Sequence, residues 1–170
     1  MNKLVIRKAN SSDYDTIMSI YEIAREFMRN TGNPNQWKNT NPTPEQVKED
    51  INNQTCHVIY DSVEICGVFA LCEGIDETYL HIEDGNWLND NEYVTIHRIA
   101  SNQKVPGIFK CAIDHCKSLY QNIRIDTHDD NKVMQHVIEK NGFIRCGIVY
   151  LKNGEPRIAY QWSKKEETNE

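Results

Sequence analysis

The stretch YVTIHRIASNQKVPGIFKCAIDHCKSLYQNIRIDTHDDNKVMQHVIEKNGF, residues 93–143, decides the fold. Its first run alternates as a strand does, with Tyr93, Thr95, His97 and Ile99 on one face and Val94, Ile96, Arg98 and Ala100 on the other. A polar turn holding Pro106 and Gly107 follows. Residues 107–120 then place Ile108, Ala112, Cys116 and Leu119 at helical spacing, a stripe expected in the core. Residues 122–128 read as a second strand, Ile123, Ile125 and Thr127 opposite Arg124, Asp126 and His128, and Asn131 opens a helix that closes on Gly142. A strand running through a turn into a helix leaves backbone N–H groups unpaired at the positive end of the helix dipole, which suits a phosphate. By itself such a turn specifies only an anion.

Two motifs in this stretch resemble the signatures of the GCN5-related N-acetyltransferases. Lys104-Val105-Pro106-Gly107-Ile108-Phe109 is similar to that family's pyrophosphate loop, usually Gln/Arg-x-x-Gly-x-Gly/Ala. Asn131-Lys132-Val133-Met134 through Glu139-Lys140-Asn141-Gly142-Phe143 is similar to its second signature. They stand in the family's order and spacing, and the resemblance covers nearly all of the chain.

The resemblance implies an α/β (α+β) fold in a single domain, residues 1–163, with a charged tail at 164–170. Its sheet would be mixed, mostly antiparallel and twisted, with six to seven strands, helices on both faces and a cleft between two splayed central strands. It implies an acetyl-CoA-dependent N-acetyltransferase that acts on a primary amine of a small molecule or a protein and uses no metal. Backbone groups of Ile99, Ala100 and Ser101 would meet the acyl arm. The loop Lys104, Val105, Pro106, Gly107, Ile108 and Phe109 would cradle the pyrophosphate through its N–H groups, with Gly107 allowing close approach and Lys104 adding charge. Asn131, with Met134 beside it, would orient the pantetheine arm. A homodimer is compatible with the resemblance.

Three departures stand out. Phe109 replaces a second small residue, Pro106 removes one N–H donor, and Ile138 occupies the position where family members commonly carry a tyrosine that protonates the leaving thiolate. Tyr150 and solvent are the substitutes, because a thiol of pKa about 8.5 leaves tolerably unaided.

Acetyl transfer to an amine also needs a base. A lysine-like amine is neutral only about once in 10³ at pH 7. His97, on the strand placed beside the thioester, is the first candidate, since an imidazole suits proton removal near neutral pH. Asp126 and His128, which share a face of the next strand, are the others. An Asp could orient a His, hold the acceptor's ammonium, or simply pair with Arg124 at the surface.

Outward from this stretch, Leu4–Arg7 reads as a strand and Ser12 as the N-cap of a helix that buries Tyr14, Ile17, Met18, Tyr21 and Ala24. Residues 29–43 form a polar loop around Trp37, which either plugs the core edge or lines the acceptor pocket. Thr43-Pro44-Glu45-Gln46 supplies an N-cap, a helix-opening proline and a capping-box glutamine. Cys56–Tyr60 and Ile65–Leu71 make a hairpin whose second strand, apolar on both faces, belongs in mid-sheet. Tyr79–Ile82 reads as a short strand before a polar loop holding Trp87, for which the same two roles stand as for Trp37. Asn153-Gly154 signals a final hairpin.

The formal charge of −6 and the lack of a Lys/Arg cluster outside the tail disfavour a nucleic-acid partner. The six cysteines show no C-x-x-C spacing, as expected of free thiols in a reducing compartment. With no signal-peptide pattern and no apolar run of spanning length, a cytoplasmic protein without membrane attachment is expected. The alternatives to an acetyltransferase are a non-catalytic acyl-CoA sensor of the same fold and a binding domain for some other phosphate-bearing ligand.

Overall fold

In the computed structural model, which describes residues 3–165, the chain opens with an edge strand, β1 (Val5–Lys8). Asn10, rather than Ser12, provides the first cap. Its side chain accepts from the Ser12 N–H at 3.0 Å, while the Asp13 carboxylate accepts from the Asn10 N–H at 2.9 Å. That reciprocal box nucleates a 3-10 turn, Ser11–Asp13, which leads into α1 (Tyr14–Asn30) and its buried stripe Ile17, Ile20, Tyr21 and Ala24. α2 (Pro44–Asn52) begins as its sequence predicts, Thr43 accepting from the Gln46 N–H at 3.1 Å. The box is only half formed, because the Gln46 amide donates to Asp50 Oδ1 at 3.0 Å instead.

β2 (Cys56–Tyr60) and β3 (Ile65–Glu73) form the expected hairpin. No strand forms at Tyr79–Ile82; Asp76 caps a second 3-10 turn there, Glu77–Tyr79. The chain continues through β4 (Val94–Ser101), α3 (Ile108–Leu119), β5 (Asn122–Thr127), α4 (Lys132–Lys140), β6 (Ile144–Tyr150) and β7 (Pro156–Ser163). These strands make one seven-stranded sheet in the order β1-β2-β3-β4-β5-β7-β6, antiparallel everywhere except between β4 and β5. The apolar β3 lies between β2 and β4, as its composition predicts.

Two cores flank the sheet. One joins Phe69, Leu71, Ile96, Ile113, Ile123 and Ile138 beneath α3 and α4; the other joins Ile17, Tyr21, Val47, Val58, Val68 and Ala100 beneath α1 and α2. Helix α3 packs so closely that a Cβ on Gly67 of β3 would stand 2.5 Å from Ile108 Cγ2. Leu119 does not join this core: it is 60% exposed, because the buried stripe of α3 runs out at the helix end where the chain turns into β5. All six cysteines are free thiols, and burial pushes Cys56 and Cys116 up to about 12. Among the described residues no helix is long and apolar enough to cross a membrane, and no group of three or more His, Cys, Asp or Glu could hold a metal ion. Of the charged tail, residues 166–170 lie outside the described residues.

Candidate active site

The site begins where the parallel ladder ends. β4 and β5 pair only at Val94–Ile123 and Thr95–Arg124. Further along, β4 carries a bulge against β3, its register slipping between the His97–Ala70 and Ala100–Val68 pairs, with Arg98 at φ +51°. A bulge bends the strand and shifts its alternation by one residue. Ile99 therefore joins Val94 and Ile96 in the core beneath α3, and Ala100 faces α1. The unbroken alternation expected from the sequence, with Ile99 beside His97, fails at this point. Arg98 is held at the bulge by a two-pronged ion pair with Asp50 of α2, at 2.8 and 2.9 Å, and its carbonyl accepts from the Tyr21 hydroxyl at 2.8 Å.

Beyond the bulge the strands part around a cleft of about 480 Å³. Its walls include Trp37 from the α1–α2 loop, and Leu151 and Arg157 from the β6–β7 hairpin. Trp37 lines the cleft and meets Tyr21 edge-on with ring centroids 5.6 Å apart.

The 3-10 turn at 77–79 spans the opening and organises its polar groups. Asp76 Oδ1 accepts from the Thr78 N–H at 2.9 Å, and its Oδ2 lies 2.8 Å from His97 Nε2. Three residues on, the Tyr79 hydroxyl donates to Asp126 Oδ2 at 2.6 Å. One turn thus holds a side chain from each of the two parted strands. A carboxylate can only accept, so a neutral His97 keeps its proton on Nε2 and carries its free lone pair on Nδ1. Burial alone would push the Asp76 carboxyl up, but the His97 hydrogen bond and charge, with the Thr78 N–H, hold it below its ordinary value. Burial, reinforced by the Asp126 charge, pushes the Tyr79 hydroxyl well up, so it stays a neutral donor.

The other end of the cleft narrows into a groove, lined by Ile99, Ala100, Ser101, Phe109, Asn131 and Met134, six of the residues picked from the sequence. Gly107, at φ +83°, is the N-cap of α3. The N–H groups of Gly107, Ile108 and Phe109 precede the first intrahelical bond, Cys111 N–H to Gly107 C=O, so no helical carbonyl accepts from them. A Cβ on Gly107 would meet nothing within 4 Å, so the glycine answers to backbone conformation and not to crowding. Several groups of the expected cradle already have protein partners. The Lys104 N–H donates to Asn102 Oδ1 at 3.0 Å, and the Lys104 ammonium pairs with Glu64 at 3.2 Å. Val105 and Phe109 pack partly buried against the core, and Ile108 lies within it. Asn131 caps α4, accepting from the Met134 N–H at 3.0 Å, and donates to Gln36 Oε1 at 2.9 Å.

Three other chosen residues stand apart. His128 lies one residue past β5, and its Nδ1 accepts from the Asp130 N–H at 3.0 Å, which turns the ring onto its own loop. Tyr150 is 38% exposed and donates to Glu83 at 2.9 Å; its neighbour Leu151 reaches the cleft. Trp87 lines a second hollow, about 810 Å³, at the opposite end of β4. Its indole N–H donates to the Tyr79 carbonyl at 2.9 Å, and its ring covers Arg124, which explains a tryptophan in a polar loop without any acceptor. The surface pairing of Arg124 with Asp126 does not form either, since Arg124 is buried between Trp87 and Tyr93. Ile138 is fully buried, so α4 offers no hydroxyl there.

Comparison with solved structures identifies the arrangement. An acetyltransferase of the GNAT family from Streptococcus agalactiae is 34% identical, with 96% of each chain covered and a TM-score of 0.84. The chain belongs to the GNAT acetyltransferase family. A GNAT-family acetyltransferase from Bacillus cereus shares the fold at 22% identity, covering 96% of this chain and 99% of that one, with a TM-score of 0.62. A Salmonella typhimurium structure with its cofactor acetyl-CoA shares it at 14% identity over 98% and 96% of the two chains, with a TM-score of 0.59. No family model and no curated protein matches the chain.

Within this GNAT chain, residues that escaped the sequence reading include Gln36 and Arg157, which line the cleft, and Asp76, which pairs with His97 at its edge. Asp76 carried a local signal, an aspartate two residues before Thr78, as an N-cap requires. Gln36 and Arg157 carried none. Gln36 reaches Asn131 with its side chain and accepts from Arg157 Nη2 at 3.3 Å with its carbonyl, contacts made 95 and 121 residues away along the chain.

Proposed function

We propose that the protein is an acetyl-CoA-dependent N-acetyltransferase in which His97, positioned by Asp76, takes the proton from a primary amine. The observation that carries this reading is the His97–Asp76 pair, 2.8 Å apart, at the edge of the cleft where β4 leaves β5. Acetyl-CoA, when bound, supplies a thioester whose carbonyl carbon accepts the amine. The N–H groups of Gly107, Ile108 and Phe109 offer a helix terminus to the pyrophosphate. The hollow past Ile99, Ser101 and Asn131, about 30 Å³ in volume, adjoins the cleft and marks the path assigned to the pantetheine arm, which would have to widen it. His97 Nδ1 removes the amine proton as the C–N bond forms and the C–S bond breaks. Water supplies the proton for the departing thiolate, since Ile138 and the outward Tyr150 leave that role without a side chain.

Two measurements test the proposal. Acetyl-CoA and CoA, but not ATP, should raise the melting temperature, since a ligand at a hundred times its Kd adds about 2.7 kcal/mol. A panel of amines should then release free thiol from acetyl-CoA. Stabilisation by acetyl-CoA with no turnover of any amine would favour a non-catalytic sensor, a reading that Ile138 motivates. No stabilisation by either CoA species would remove both.

A further inference from the structure

Resting on the N-acetyltransferase reading, we infer that the acceptor amine also carries a carboxylate and that Arg157 binds it, so that the substrate is a small molecule of the amino-acid class. The inference starts from how this chain treats three of its other arginines. Arg7 grips Asp13 with two nitrogens at 2.7 and 2.9 Å, and Arg98 grips Asp50 likewise at 2.8 and 2.9 Å. Arg124 has no carboxylate, but its guanidinium carbon lies 4.0 Å from the ring centres of both Trp87 and Tyr93. Each of these charges is matched by the protein.

Arg157 is matched incompletely. It is 4% exposed and lines the cleft, yet its partners are two neutral carbonyls and one shared acid. Nη1 donates to the Pro156 carbonyl at 2.8 Å, and Nη2 reaches the Gln36 carbonyl and Glu155 Oε2, both at 3.3 Å. Glu155 is also bound by Lys38 at 3.1 Å, so two cations share one carboxylate and a net positive charge remains. A guanidinium has five N–H donors in a planar fork. Three are engaged here; among the described residues Nε and the second Nη1 proton meet no protein acceptor. Arg157 Nε is not among the sealed, unpartnered atoms of the described residues, so it stays open to a ligand oxygen from the cleft.

The sheet register fixes what stands opposite. Asp126 of β5 pairs with Ala159 of β7, and Arg157 lies two residues from Ala159 on the same face. Diagonal neighbours across an antiparallel pair sit about 7–8 Å apart. The two charges are not bridged, since Asp126 is taken by the Tyr79 hydroxyl. The cleft therefore has a cationic end at Arg157 and an anionic end at Asp126 and the Asp76–His97 pair. A molecule with an ammonium and a carboxylate a few bonds apart fits that polarity, its amine toward Asp126 and His97 and a carboxylate oxygen on a free guanidinium N–H of Arg157. A cleft of about 480 Å³ that also receives the acyl end leaves room for a small acceptor.

The test measures acetyl-CoA turnover by the full chain with the L-α-amino acids and with the amide of each. The best amino acid should exceed its own amide in kcat/KM by roughly 10–100-fold, the worth of a hydrogen bond to a charged group. In Arg157→Gln that preference should collapse to within about threefold, and Arg157→Lys should fall between, keeping charge but not the fixed N–H directions of the guanidinium. Acetyl-CoA affinity, read by calorimetry, should be the same in all three proteins, which separates loss of the carboxylate site from misfolding. Amides used as well as their amino acids, or a preference that survives in Arg157→Gln, would overturn the inference and leave N-acetyl transfer standing. Turnover of no amine would instead overturn the proposed reaction. The inference would then rest on calorimetric titration of the CoA-loaded protein with the same amino acids: heat lost in Arg157→Gln supports it, and no heat in the native protein overturns it.

Discussion

The seam between β4 and β5 has two ends, and they are built on opposite principles. At the closed end the ladder pairs are intact, and Arg124 lies buried between Trp87 and Tyr93, donating to the Asn89 carbonyl at 2.9 Å and to Gln161 at 3.3 Å. Burial lowers its pKa, and the two aromatic faces compensate the charge in place of a carboxylate. At the open end, past the Arg98 bulge, the polar side chains His97, Asp126 and Arg157 all line a cleft. At the first end Arg124 has protein partners for its charge, although the neighbouring Thr95 hydroxyl is buried without one, whereas at the second end Arg157 keeps N–H donors free. The difference teaches that a buried charge is no mark of function by itself. What matters is whether the protein has already completed its shell.

The comparison breaks if substitutions at the two ends have the same consequence. The largest effect is expected from His97→Ala, which should lower kcat/KM by roughly 10²–10⁴-fold. It should leave acetyl-CoA affinity unchanged and remove the ascending limb of the pH profile. Retention of that limb would pass the base role to Asp126.

Gly107→Asp should weaken acetyl-CoA by roughly a thousandfold, the scale of two like charges about 4 Å apart near a protein surface. The space around a Cβ there is open but the αL backbone strains any L residue, so Gly107→Ala is the control: it should keep most of the affinity that Gly107→Asp loses. Unchanged affinity of Gly107→Asp by calorimetry would place the cradle elsewhere.

At the closed end, Trp87→Ala should cost about 3 kcal/mol of stability in urea unfolding, through a lost ring and an uncovered Arg124. Its kcat/KM at low temperature should stay within a few-fold. A loss of activity matching that of His97→Ala, in a variant still folded, would mean the two ends are not separate.

The open end should also be the acid-sensitive one. The folded Asp76 carboxyl is held below its ordinary value, so its contribution to stability is complete above about pH 4 and is lost as pH falls through the folded value. Asp76→Asn should therefore be less stable than the native protein at pH 7 and lose less stability between pH 5 and pH 3. Parallel acid profiles for the two would refute this, and Trp87→Ala should keep the native profile.

The smallest effect is expected from Tyr150→Phe. With its hydroxyl on Glu83 and its ring turned outward, kcat should change within about threefold, against the roughly 10²–10⁴-fold of a true general acid.

Much of this protein was determined by local sequence alone. The capping of α2 by Thr43, the αL glycine opening α3, the Asn131 cap of α4, the continuous apolar run of β3 and the strand at β5 are short-range consequences of side-chain and backbone chemistry, and each is where its residues predict. The N–H groups of Gly107, Ile108 and Phe109 without helical acceptors are a local consequence too, because a turn into a helix exposes such groups wherever it occurs. Tertiary structure decided the rest. The Arg98 bulge, which reverses the facing of Ile99 and Ala100, is held by Asp50 and Tyr21 from helices 48 and 77 residues away. Trp37 and Trp87 share one local signal, an aromatic in a polar loop, yet one lines the cleft and the other covers Arg124. Asp76 reached His97, and Gln36 reached Asn131 and Arg157, only when distant segments met. Local pattern specifies where a chain turns and which face it buries; a site whose partners lie across the sheet exists only after folding has brought those faces together.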